Sequence, residues 1–200
     1  RLYVEGVPDK EITVGEVAKT AEHRNWGTVA AVVSNRQTSC PPAYSAQFVE
    51  VEVDTETGRI SLSKVVLGND SGTIVNPAGA EGQQVGGFHR GAGYALYEET
   101  AYDEGSGRMV NANLADYEML PASAMPDNED VETFFAETEE PSGPFGAKGI
   151  AEPCINPTAA AIANAVYNAT GVRFTEIPMR PDRVLERLRD AGSGSTPSAG

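Results

Sequence analysis

Residues 48–59 read Phe48-Val49-Glu50-Val51-Glu52-Val53-Asp54-Thr55-Glu56-Thr57-Gly58-Arg59. From Val49 the residues alternate with period two, valines to one side and glutamates to the other, as a strand with one covered and one solvated face requires. Asp54 to Gly58 supplies turn chemistry, and Arg59 to Leu67 continues as a second strand, so the segment predicts a β-hairpin.

Downstream, Asn76-Pro77 opens a helical stretch that runs to about Glu99. Proline costs nothing in a first helical turn, because its missing N–H would be unpaired there anyway. Gly82, Gly86, Gly87, Gly91 and Gly93 fall inside this helix, each at a cost of about 1 kcal/mol relative to alanine. Their spacing of four sets small residues on neighbouring turns of one face. That face either admits a ligand or another backbone closely, or packs tightly on a sheet. A second helix is expected with Asn156 as N-cap, Pro157 at N1 and Gly171 just past its end. A third, amphipathic helix is expected over 181–191, with Val184, Leu185 and Leu188 inward. Residues 108–120 and 131–137 have strand character, and 139–153 read as a glycine- and proline-rich loop.

Upstream, Leu2 to Val7 reads as a short strand ending at Pro8. Thr13 and Glu16 have capping-box spacing, which predicts a helix through Ala21. The β-branched and apolar run from Gly27 to Ser34 predicts a buried strand. Strands and helices mix without a strict βαβ rhythm, which places the chain in the α+β class. One lobe is expected over residues 1–191, followed by a disordered tail over 192–200.

The 200 residues carry a net charge of -14, spread along the chain. That balance argues against nucleic acid as a partner, because phosphate needs neutralising cations. No run approaches the ~18–20 apolar residues of a membrane span. The two cysteines, Cys40 and Cys154, make no disulfide framework, so a reducing, cytoplasmic setting is expected. Only four of the fifteen cations are lysine, a surface suited to high salt, where screening weakens self-repulsion.

Two histidines, His23 and His89, stand at unrelated places. They supply neither a histidine metal site nor a Ser-His-Asp triad, and His89 reads as a surface or interface residue. The segment Gly143-Pro144-Phe145-Gly146-Ala147-Lys148-Gly149-Ile150-Ala151-Glu152-Pro153 stands out. Its small residues let backbone N–H groups approach a ligand. A carboxylate follows at once, fixed by Pro153; partly desolvated, it could serve as a general base. On the residues alone, an ordinary glycine loop ending in an exposed glutamate is the favoured reading.

The run Gly146 to Pro153 resembles the G-x-K-G-x-G-E loop of the molybdenum hydroxylases, the xanthine dehydrogenase and aldehyde oxidase family. Asn76-Pro77-Ala78, Gly82-Gln83, Gly86-Gly87, Gly91-Ala92-Gly93 and Glu98-Glu99 are similar to that family's N-P … G-Q … G … G-x-G … E-E helix. Ala115-Asp116-Tyr117 with Pro121 resembles its Y-x-x-P stretch, and the Phe48–Leu67 hairpin its E-V-x-V-D-x-x-T-G segment. The similarity runs in order from about residue 45 to residue 188. Ala151 departs from the pattern, standing where the family most often has glycine.

The resemblance implies the C-terminal part of a molybdenum cofactor-binding domain, with mixed sheets and packed helices. It implies a metal held by the dithiolene of an organic pterin and by no side chain of this chain. By the same resemblance, Gln83 hydrogen-bonds the cofactor, with Gly82 beside it and the backbone of Ala147, Lys148, Gly149 and Ile150 lining it. Glu152 is then the catalytic base in hydroxylation of an electron-poor carbon of a purine, another N-heteroaromatic ring or an aldehyde, with oxygen from water. Lys148 either meets phosphate or pterin oxygens or satisfies loop carbonyls. The rest of the molybdenum subunit, an iron–sulfur subunit and a flavin (FAD) subunit are the implied partner chains, since two cysteines cannot ligate such clusters. The alternatives are a non-catalytic assembly subunit, a copper–molybdenum carbon monoxide dehydrogenase subunit, or an acid–base hydrolase pairing Glu152 with Asp116.

Overall fold

The computed structural model describes residues 1–34 and 39–193. Where the sequence reading drew one lobe over 1–191, the chain divides into two compact units, Arg1–Gln37 and Thr38–Gly200. In the first unit, β1 (Leu2–Val4) pairs antiparallel with β2 (Val7–Ile12), and α1 (Val14–His23) follows. The single strand expected to end at Pro8 is thus two, folded back at Gly6, whose φ is +80°. Pro8 is tolerated within β2 because a two-stranded ribbon is all edge. Thr13 and Glu16 form the expected capping box. Gly27 to Ser34, expected as a buried strand, is irregular and exposed, with Val32 99% accessible. Among the described residues, its local β-propensity meets no partner strand.

The second unit is α+β. Strands β3 (Tyr44–Val53) and β4 (Ile60–Asp70) form the hairpin, and β5 (Val131–Phe135) joins β4 in parallel to give a three-stranded mixed sheet. Asp54 holds the turn, its Oδ1 accepting from Glu56 N at 2.8 Å. Gly58, at φ +75°, is required because a Cβ there would overlap the Pro181 carbonyl. The pairing slips by one residue between Glu50 and Val51, which face Lys64 and Leu62. Ser63 is therefore an extra residue. The bulge lets Leu62 and Val65 both face inward, while Lys64 turns out to Glu132 at 2.6 Å.

The connection from β4 to β5 carries α2 (Pro77–Leu96), capped by Asn76, whose side chain accepts from Gly79 N. Helix α3 (Thr158–Thr170) starts one residue later than expected, with Pro157 at the cap, and ends on Gly171 at φ +73°. Both helices pack with the sheet around Val65, Leu67, Phe88, Ala92, Ile162 and Val166. Helix α4 (Pro181–Ser193) buries Val184 fully and Leu185 and Leu188 in part. It carries Gly192 and Ser193, which were expected in the tail; residues 194–200 lie outside the described residues. Among the described residues, 108–120 hold no strand, only a bridge from Tyr102 to Met109. No helix of the described residues is long and apolar enough to cross a membrane.

Candidate cofactor site

The glycines of α2 divide by face. A Cβ at Gly87 would stand 2.7 Å from Cys154 Cβ, and one at Gly91 2.5 Å from Thr158 Cβ. These two let the Glu152–Cys154 turn and α3 pack onto the helix. Gly82 and Gly86 meet nothing within 4 Å, so they leave an open face. Gln83 lies on that exposed side, whereas its neighbour Gln84 is 2% exposed and donates to the Phe134 carbonyl at 3.1 Å.

Across from Gln83 runs the loop 143–153. Phe145 and Gly146 both have positive φ, +56° and +81°, which turns the chain back toward the end of β4. There it is tied down on backbone. Thr73 N donates to Gly146 O at 2.9 Å, and Lys148 N to Ser71 O at 2.7 Å. Ser71 Oγ donates to Gly149 O at 3.1 Å, and Cys154 Sγ to Ile150 O at 2.8 Å. Gly72 is obligatory at this joint, since a Cβ would overlap the Gly146 carbonyl.

The result is a pocket of about 240 Å³ whose walls include Ser71, Thr73, Asn76, Gln83, Ala147, Lys148 and Ile150. Four of the residues expected to bind a cofactor, Gln83, Ala147, Lys148 and Ile150, are thereby brought together. Gly149 follows in the same loop with its carbonyl held by Ser71, and Gly82 precedes Gln83 on the open helix face. The lining offers one free amide side chain together with backbone and small residues, a donor set that suits an uncharged heterocycle's edge. A larger cleft of about 740 Å³ lies elsewhere, between the Asp54–Ile60 turn and Met179–Asp182.

Glu152 opens a short turn of 3₁₀ helix (Glu152–Cys154) and lies outside the pocket lining, exposed to solvent in this chain. The partial desolvation expected for it is therefore not provided by the described residues around it. Ala151, where glycine is the family's usual choice, has φ -68° and ψ -69°, an ordinary right-handed conformation that alanine adopts freely. The substitution imposes no reshaping.

The Lys148 side chain is 9% exposed, and its ammonium pairs with Asp70 Oδ2 at 2.9 Å and lies 5.7 Å from the centre of the Tyr44 ring. The Thr138 hydroxyl, then the Lys148 ammonium and the Gly72 N–H, hold the Asp70 carboxyl below its ordinary range. Asp70 and Ser71 lie beyond Leu67, where the second strand is expected to end, because β4 runs on to Asp70. The polar run Asn69-Asp70-Ser71-Gly72 at the end of a β-branched strand was the available signal. His89 is half-buried within α2, its Nε2 donating to the Leu120 carbonyl at 3.1 Å. Asp116 belongs to the 113–117 turn, where it accepts from Asn113 Nδ2 at 2.7 Å.

The profile of the molybdopterin cofactor-binding domain family matches residues 1–126. The chain belongs to that family. It is part of a molybdenum-binding subunit of the xanthine dehydrogenase type. The putative xanthine dehydrogenase molybdenum-binding subunit XdhA of Escherichia coli is 42% identical over 166 residues, 83% of this chain and 22% of that protein. Quinoline 2-oxidoreductase from Pseudomonas putida 86 superposes with a TM-score of 0.81 at 28% identity, over 94% of this chain and 25% of that one. The Cu,Mo-CO dehydrogenase, in its carbon monoxide reduced state, superposes with a TM-score of 0.79 at 26% identity, over 95% and 24%. The chain spans about a quarter of the length of these relatives.

Proposed function

We propose that this chain supplies the general base and one wall of the cofactor cradle of a molybdenum hydroxylase. The observation that carries the reading is the convergence of the Gln83 amide and the Ala147–Ile150 backbone on one pocket, with Glu152 two residues beyond it. Gln83 offers both a donor and an acceptor to the pterin, and the open face at Gly82 leaves room for its approach. The cofactor, when bound, supplies the redox chemistry and takes up the two electrons removed from the substrate.

The chain's own residues bind, orient and move a proton. Gln83 and the N–H groups of Gly149 and Ile150, which donate to no group among the described residues, fix the group's edge, and Glu152 accepts a proton at its carboxylate as the new carbon–oxygen bond forms. Glu152 is exposed in this chain, so the groups that cover it belong to the rest of the molybdenum subunit or to bound substrate. The substrate class is an electron-poor carbon of a purine, another N-heteroaromatic ring or an aldehyde, and the oxygen comes from water. The names of the xanthine- and quinoline-oxidising relatives support the first two. Electrons then leave through iron–sulfur clusters and FAD on partner chains of a cytoplasmic complex.

Growth on molybdate against tungstate tests this reading. The molybdate-grown complex should reduce a dye with purine, nicotinate or aldehyde, and the tungstate-grown complex should not. Equal dye reduction by both would contradict molybdenum dependence, and hydrolysis by both in the absence of any dye would support an acid–base hydrolase instead. The likeness to the Cu,Mo-CO dehydrogenase favours one second reading, a carbon monoxide-oxidising subunit. Copper in the purified complex together with dye reduction by CO would establish that alternative.

A further inference from the structure

The two walls of the pocket meet at a joint that the cofactor reading leaves without a role. Asp70 ends β4, and its carboxylate is the hub of that joint. Oδ2 accepts from Lys148 Nζ at 2.9 Å, while Oδ1 accepts from Thr138 Oγ1 at 2.6 Å and from Gly72 N at 3.1 Å. The Lys148 and Asp70 side chains are only 9% and 16% exposed. Around them the two backbones are already stitched, by Lys148 N to Ser71 O and by Thr73 N to Gly146 O. Ser71 and Thr73 line one side of the pocket, and Ala147, Lys148 and Ile150 the other. The ion pair therefore ties the two sides together at the place where a ligand would otherwise push them apart.

We propose that Asp70 is a positioning residue. Through Lys148 it holds the 147–150 backbone in the pocket-facing conformation, and so sets where Glu152 stands. This builds on the assignment of the pocket to the cofactor. Lys148 is consequently a strut whose charge is spent inside the protein. A misplacement of about 1 Å can cost ~10²-fold in rate, so a loosened strut should act on turnover while substrate binding is kept.

The test uses the assembled, cofactor-loaded complex with Asp70→Asn, Lys148→Met and the milder Thr138→Val, which removes only the hydroxyl on Asp70 Oδ1. Amide hydrogen exchange over 144–152 should rise by about tenfold in the first two variants and less in Thr138→Val, with 158–170 unchanged. Turnover per bound molybdenum should fall by about tenfold or more with KM unchanged, and Asp70→Glu should restore part of it. Unchanged exchange in the loop overturns the proposal, even if the enzyme is slower. Faster exchange with normal turnover per molybdenum also overturns it, reducing Asp70 to a fold-stabilising residue. The exchange readout needs no molybdenum chemistry. If the cofactor assignment is wrong, the tungstate comparison fails while the exchange difference persists.

Discussion

The Asp70 carboxylate accepts three hydrogen bonds, from Lys148, Thr138 and Gly72, and these lower its proton affinity. A native value below the unfolded one stabilises the fold only while the carboxylate is ionised. That contribution is complete above the unfolded value of about 3.9 and is lost as pH falls through the depressed native value. Asp70→Asn should therefore flatten the acid limb of a stability–pH curve, and an identical limb in the variant would contradict the assignment. Cys154 runs the other way. Burial pushes its thiol up to about 11, so its stabilising contribution is full below the free-thiol value of about 8.5 and is lost as pH rises toward 11. Thiolate, not thiol, is the nucleophile. Alkylation of the native protein at neutral pH should mark the exposed Cys40 and spare the buried Cys154 until unfolding. Rapid labelling of both would refute the burial.

Helix α2 does two jobs through one residue type. Gly91→Ala forces a methyl against Thr158 and should destabilise by about 1–3 kcal/mol, the usual cost of overpacking. Gly86→Ala meets open space and should stabilise the helix by up to about 1 kcal/mol. Thermal unfolding of the two variants checks this contrast; equal destabilisation would mean that both faces are packed. The sequence could pose this question, but spacing alone could not say which glycines serve packing and which leave a face open. Features stated locally were legible: the Val49–Val53 alternation, the Asn76-Pro77 start, the Thr13–Glu16 capping box and the Gly171 stop. The run from Gly27 to Ser34 and residues 108–120 have strand composition, but among the described residues they pair with no strand beyond the Tyr102–Met109 bridge, and pairing is what stabilises a strand. The parallel partnership of β5 with β4 joins residues more than sixty positions apart. At the site, the Gln83 and Glu152 candidates were readable by resemblance. The Asp70–Lys148 pair spans 78 positions, and no local pattern announces it.

At the scale of the whole molecule, a net charge of -14 implies self-repulsion that salt relieves. Melting temperature should rise between about 0.1 M and 1 M KCl, and a fall would place the dominant charge effects in attractive pairs. The chain spans about a quarter of the length of its relatives. Both sides of the pocket are built and braced, while Glu152 stands open to solvent outside its lining. On the proposed function, Glu152 acts as a base once the rest of the subunit and the cofactor close over it. The decisive measurement is turnover per bound molybdenum in the assembled complex carrying Glu152→Gln. Loss of about 10²–10⁴-fold at unchanged molybdenum content is the expected result. Near-normal turnover at full molybdenum occupancy would contradict the assignment of Glu152 as the base.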